Sequence, residues 1–272
     1  MQNRTLIRAG RGHGINGVVS IAVDERGAGP RTVLLVHGLG SRGVDLAAVA
    51  DGLAGFRCLL PDLRGHGHSP ARPVAALADY AGDLVALARA QPEPVAVAGF
   101  SLGAWVALEL WRAAPDTVSA IALVDPPLDR APLERWAAAG PGGEAGARDR
   151  MLALYREHDP GRARALMAEH PLTRDLDGEA LERNVAALLA ADRDGMLSTL
   201  RLLRGWSPPA RPAGSPARAL VLHGTRSPVT PRPAVEALAT RLGAEAATYD
   251  GGHAAHLSAP AEVAAALRRA LA

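Results

Sequence analysis

The 272-residue chain contains no lysine; all 30 of its basic residues are arginine, set against 28 acidic ones. That absence excludes mechanisms built on a catalytic amine, Schiff bases and the P-loop among them. Cysteine is nearly absent as well. The single Cys58 excludes a disulfide framework and a cysteine-rich zinc site, and its apolar neighbours mark it as a packing residue. Aromatics make up only 3%. No run approaches the ~20 apolar residues that a membrane helix needs. Met1 to Gly14 carries Arg4, Arg8 and Arg11 without the apolar centre of a secretory signal. A net charge of +2, with the two signs interspersed, leaves no nucleic-acid footprint. Together these absences predict a soluble, cytoplasmic protein whose partner is a small molecule, with neither membrane nor nucleic acid.

What is present suits a large core: 48% of residues are hydrophobic and 21% charged. Short β-rich runs alternate with helical spacing. Strands are expected at Val18 to Asp24, Thr32 to Val36, Arg57 to Leu60, Val95 to Phe100 and Val118 to Val124. Helices are expected at Val44 to Leu53, Leu77 to Ala90 and Ser101 to Ala114, with Pro115 stopping the last. This order predicts a mostly parallel, doubly wound α/β sheet flanked by helices. From about Asp129 to Trp206 the pattern turns helical throughout. Strand character returns at Ala219 to Leu222 and Ala246 to Tyr249, with helices near Pro233 to Leu242 and Ala261 to Leu271. The expected organisation is an α/β core over residues 1–125 and 217–272, interrupted by an all-helical insertion over 126–216.

Gly99-Phe100-Ser101-Leu102-Gly103 lies between a buried strand and a helix. Gly-x-Ser-x-Gly in that context is a nucleophile elbow, with the serine on a strained turn above a helix N-terminus that favours developing negative charge. His37-Gly38-Leu39-Gly40 ends an earlier buried strand. The N–H groups of Leu39 and Leu102 together would form an oxyanion hole. Gly251-Gly252-His253 follows the last strand, where a histidine can act as general base to Ser101. His256, three residues on, is its competitor and reads as a helix-start residue. Gly12 to Gly17 fits a dinucleotide-binding glycine string, but it precedes a strand instead of following one. His66-x-His68 lacks the partners of a metal site, and the chain has no His-Glu-x-x-His.

These features resemble the α/β-hydrolase fold family over nearly the whole chain, from the turn at Gly27 to the final helix. The resemblance rests on His37-Gly38, the elbow at Ser101, the late His253 and Asp62-Leu63-Arg64-Gly65-His66-Gly67-His68-Ser69. It implies that the last segment is a structural wall of the site and that the helical insertion is a lid over the pocket. It also implies catalysis without cofactor or metal. In many members the triad acid follows the strand that here ends in His223-Gly224. This chain has Ser227 there, and a serine cannot supply the buried charge that orients the histidine. Asp125, at the end of the strand beside the nucleophile strand, is the first candidate for the acid. Asp250 and the lack of any acid are the alternatives.

The reading is a serine hydrolase cleaving an ester, thioester or related acyl bond, with Ser101 as nucleophile, His253 as base and Asp125 as acid. A cofactor-free lyase, C–C hydrolase or cyclase on the same site is the rival, and a non-catalytic ligand-binding member is a third. His37, Gly38, Phe100, Trp105, Trp136, Tyr155 and Trp206 are expected to line the substrate pocket.

Overall fold

The computed structural model describes residues 4–9, 19–139 and 153–271. The string Gly12 to Gly17 lies outside them. The described residues form an eight-stranded sheet of β1 (Arg4–Ala9), β2 (Val19–Arg26), β3 (Arg31–Val36), β4 (Phe56–Pro61), β5 (Val95–Phe100), β6 (Val118–Val124), β7 (Arg218–Gly224) and β8 (Glu245–Tyr249). Its spatial order is β1-β2-β4-β3-β5-β6-β7-β8. β1–β2 and β2–β4 are antiparallel, and all other neighbours are parallel. The α/β class expected from the alternation is the class observed.

β5 is buried along its whole length, because helices cover both faces of the sheet. On one face, β5 and its neighbours pack against α2 (Leu77–Arg89), α3 (Leu102–Ala113) and α8 (Arg232–Leu242), through Leu84, Val106, Leu110 and Val235. On the other they meet α1 (Ala47–Asp51) and α9 (Pro260–Leu271), through Val49, Leu53, Val263 and Leu267. Each such fully buried aliphatic side chain contributes about 2 kcal/mol. α3 is apolar nearly all round, as a helix enclosed between sheet and neighbours must be, and Ala114-Pro115 ends it.

Between β6 and β7 lie α4 (Ala131–Ala138), a helical segment at 153–156, α5 (Pro160–Glu169), α6 (Gly178–Ala190) and α7 (Arg193–Leu202). They have a small core of their own around Met167, Val185, Leu188 and Met196. Several contacts tie them to the sheet layers. Tyr80 Oη meets Thr199 Oγ1 at 2.8 Å, the N–H of Asp192 donates to the Gly65 carbonyl at 2.7 Å, Ser198 Oγ donates to the Val74 carbonyl at 3.3 Å, and Trp206 packs on Trp105 at 4.9 Å. No helix among the described residues is long and apolar enough to cross a membrane.

Two details differ from expectation. β1 is not evident in the sequence, since Arg4–Ala9 is short and basic and exists as a strand only through its pairing with β2. The single helix expected at 44–53 is a 3₁₀ turn, Gly43–Leu46, running into the short α1.

Candidate active site

All parts of the site sit where parallel strands end, on the C-terminal edge of the sheet. Ser101 follows β5 with φ 53° and ψ −117°, a strained backbone for a residue with a side chain. Its N–H donates to the Val124 carbonyl at 2.9 Å, which extends the β5–β6 ladder by one bond and pins the turn. The flanking glycines are required by contact. A Cβ on Gly99 would lie 2.1 Å from the Gly103 carbonyl oxygen, and one on Gly103 would lie 2.2 Å from that of Val36. Strand and helix approach so closely that only hydrogen fits between them.

Asp125 follows β6 in the same manner. Its φ is 48°, and its N–H donates to the Leu222 carbonyl at 2.7 Å. Its side chain is 2% exposed and takes four contacts. Oδ2 accepts from His253 Nδ1 and from Ser227 Oγ, the latter at 2.6 Å. Oδ1 accepts from Thr230 Oγ1 at 2.7 Å and from the N–H of Gly224 at 3.0 Å. Burial alone would push this carboxyl up, but the bonds from His253, Ser227 and Thr230 outweigh it and hold Asp125 below the ordinary carboxylate range.

His253 lies on the loop after β8, and the bond from the Arg226 N–H to the Gly251 carbonyl (3.0 Å) joins that loop to the end of β7. Its Nε2 is 2.9 Å from Ser101 Oγ. Because Asp125 can only accept, Nδ1 carries the ring proton and Nε2 is left free to take one from the serine. A continuous chain therefore runs Ser101–His253–Asp125. Asp250, the rival acid, faces away. Its side chain is 73% exposed, and it pairs with Arg226 and with Thr225. Ser227, at the position where the resemblance leads one to expect the acid, is a hydrogen-bond donor to it instead.

A cavity of about 100 Å³ opens beside Ser101 and His253. Gly38, Leu39, Phe100 and Tyr155 line it, as do Ser41 and His256. The helical region contributes Leu154, Met167, Leu172 and Leu188, together with the polar His170, Thr173 and Asn184. None of these seven stands out in the sequence, which has no motif there. His170 is the C-cap of α5, where only the folded path of the insertion brings it beside His253. Burial holds both His170 and His256 at about 4, so both are neutral imidazoles near pH 7.

Three expected pocket residues lie elsewhere. His37 is fully buried; its Nδ1–H donates to the Gly38 carbonyl at 2.7 Å and its Nε2 accepts from the N–H of Leu63 at 2.9 Å. It clamps two loops behind the pocket. Trp105 points from α3 into the core beneath the sheet. Trp206 packs on it and donates from Nε1 to Glu109 at 2.8 Å. Both indoles join the helical insertion to α3 and do not line the cavity. Trp136 belongs to α4, but its side chain lies outside the described part of the structure.

The segment Asp62 to Ser69 closes on itself. Asp62 accepts the N–H groups of Gly43 and His68, each at 2.8 Å, and Ser69 Oγ donates to the Asp62 carbonyl at 2.7 Å. Among the described residues, no group of three or more histidine, cysteine or carboxylate side chains is placed to hold a metal ion.

Residues 33–266 match the model of the Alpha/beta hydrolase family. Lipase LipV of Mycobacterium tuberculosis is 33% identical, over 93% of this chain and 98% of its own. A pimeloyl-[acyl-carrier protein] methyl ester esterase of Aromatoleum aromaticum is 32% identical, over 85% of this chain and 94% of its own. Among solved structures, a hydrolase from Pseudomonas aeruginosa superposes with a TM-score of 0.77 at 23% identity, covering 99% of this chain and 98% of that one. With a family model spanning most of its length and relatives aligned nearly end to end, this chain belongs to the alpha/beta hydrolase family and is an esterase-like member of it.

Proposed function

We propose that the protein is a serine hydrolase that cleaves an ester, thioester or related acyl bond of a small molecule through an acyl-enzyme. The observation that carries this reading is the unbroken chain of contacts from Ser101 Oγ through His253 to Asp125. Ser101 Oγ attacks the carbonyl carbon and its proton passes to His253 Nε2. The negative oxygen of the tetrahedral intermediate is held by the N–H groups of Leu39 and Leu102. Leu102 opens α3, so its N–H has no partner within that helix. A Cβ built on Gly38 would be 3.3 Å from Ser101 Cβ, and this closeness supports a role for the neighbouring Leu39 N–H. As the intermediate collapses, the bond to the leaving group breaks and His253 returns the proton to it. Water, activated by the same histidine, then releases the acid.

In this reading residues 126–216 form a lid on a core made of 1–125 and 217–272, and the lid's inner side chains select the acyl group. Leu154, Met167, Leu172 and Leu188 favour an apolar acyl chain. The names of the two relatives, a lipase and a methyl ester esterase, point to esters as the substrate class. Short p-nitrophenyl esters are the test. Wild-type protein is expected to release p-nitrophenol, and Ser101→Ala to lower kcat/KM by about a thousandfold or more. Equal turnover by the two would remove Ser101 from the reaction.

A further inference from the structure

Two hydroxyls on the loop after β7 touch the acid itself and have no task in the mechanism above. Ser227 Oγ reaches the same Asp125 oxygen that His253 uses, and Thr230 Oγ1 reaches the other; the two hydroxyl oxygens are 2.7 Å apart. Thr230 is 2% exposed. The loop is itself fixed, with the N–H of Ser227 on the Gly224 carbonyl at 3.1 Å and the N–H groups of Leu128 and Asp129 on the Val229 carbonyl at 2.9 Å.

An ionised carboxylate accepts about four hydrogen bonds and donates none. Asp125 has His253 Nδ1, the Gly224 N–H and these two hydroxyls, which fill that capacity from four directions. Two effects follow. The carboxylate cannot rotate about its Cβ–Cγ bond without breaking at least two charge-assisted bonds, so its Oδ2 stays aimed at the imidazole. Its negative charge is also shared among several donors, which weakens its pull on the imidazole proton. We propose that Ser227 and Thr230 are positioning residues that hold Asp125 toward His253 and moderate the basicity of that histidine. The proposal rests on the hydrolase reading above for its kinetic consequence, but not for its effect on the imidazole.

The sign of that effect is set by charge. Removing a donor concentrates negative charge on Asp125, stabilises the imidazolium, and raises the pH at which His253 becomes a free base. Among the described residues, titratable groups facing this corner include His170, His256, Tyr249 and Asp175, while Arg226 and Asp250 on the same loops pair with each other in solvent. The substitutions below leave all of these unchanged, and the two histidines stay neutral well below pH 6.

The experiment compares Ser227→Ala, Thr230→Val, their double variant and the hydroxyl-keeping Ser227→Thr and Thr230→Ser. Two readouts are taken, the pH profile of kcat/KM for a p-nitrophenyl ester and the His253 imidazole pKa by NMR. Each hydroxyl-free variant is expected to lose about tenfold in kcat/KM and the double variant more, with the acid limb and the NMR midpoint both moved to higher pH. The hydroxyl-keeping variants are expected to restore both readouts. Unchanged midpoints in the hydroxyl-free variants would overturn the proposal, whether or not activity falls, because a purely structural loss lowers the amount of active protein without moving a titration. The NMR midpoint reads the positioning role even where no ester is turned over. An inactive wild type would therefore count against the hydrolase reading, and an unmoved midpoint against this one.

Discussion

Asp125 shows how much one residue's place depends on neighbours far away in sequence. It holds a left-handed backbone at φ 48°, which costs a residue with a side chain about 1–3 kcal/mol and persists only where the surroundings enforce it. The bond from its N–H to Leu222 and the four donors on its carboxylate supply that enforcement. Asp125→Asn is expected to lower kcat/KM for an ester by about a thousandfold, because an amide in its place can present a donor to Nδ1 and reverse the tautomer. Asp250→Asn is expected to stay within about twofold, since its side chain pairs with Arg226 in solvent. Steady-state kinetics on the two variants decides between them, and a large loss in Asp250→Asn alone would reassign the acid. Asp125 is legible in the sequence as a candidate, from its position after the strand beside the nucleophile strand. Its hydroxyl partners are not, because Ser227 reads only as a missing acid until the fold sets it beside Asp125.

At the scale of elements, the central strands are the easiest to read. Val95–Phe100 is a continuous apolar run and Val118–Val124 is apolar apart from the exposed Ser119, with glycine or proline near their ends, so their own residues mark their bounds. The elbow is equally plain, because Gly99 and Gly103 are required by local contact. Gly103→Ala would drive a methyl group to 2.2 Å from a carbonyl oxygen at the centre of the sheet. It is expected to cost about 3 kcal/mol or more, as a clear drop in thermal midpoint. Gly82→Ala, in the middle of α2 with open space around it, is the control and is expected to be neutral or slightly stabilising. The pocket lining is much less legible. An aromatic side chain announces burial but not which cavity it faces, so Trp105 and Trp206 go to the α3 interface while Phe100 and Tyr155 reach the pocket. β1 is hidden for a related reason: its strand character lies in a pairing and not in its own residues.

Across the whole molecule, several histidines are buried as neutral rings. Burial holds His66 at about 3, helped by nearby His37, and holds His170 and His256 at about 4; burial also lowers His37. In the unfolded chain each takes up a proton below about pH 6.5, while burial in the folded chain opposes that uptake. Their contribution to stability is therefore complete above about pH 6.5 and is lost progressively as pH falls through the folded values. Asp125, held below its ordinary value, adds to the same trend at the acid end. Urea unfolding is expected to show a free energy that declines from pH 7 toward pH 4. The slope should be shallower in His66→Phe, which removes one buried ring that titrates. A flat profile between pH 7 and 4.5 would contradict the neutral burial of these rings.

If Ser101 is a nucleophile activated by His253 and Asp125, it will react covalently with an electrophilic phosphonate. Intact mass is measured after treatment with a fluorophosphonate probe for the wild type, Ser101→Ala and Asp125→Asn. One adduct is expected on the folded wild type, none on Ser101→Ala and strongly slowed labelling on Asp125→Asn. A folded wild-type protein that takes no adduct, or an adduct that persists in Ser101→Ala, would contradict that role for Ser101.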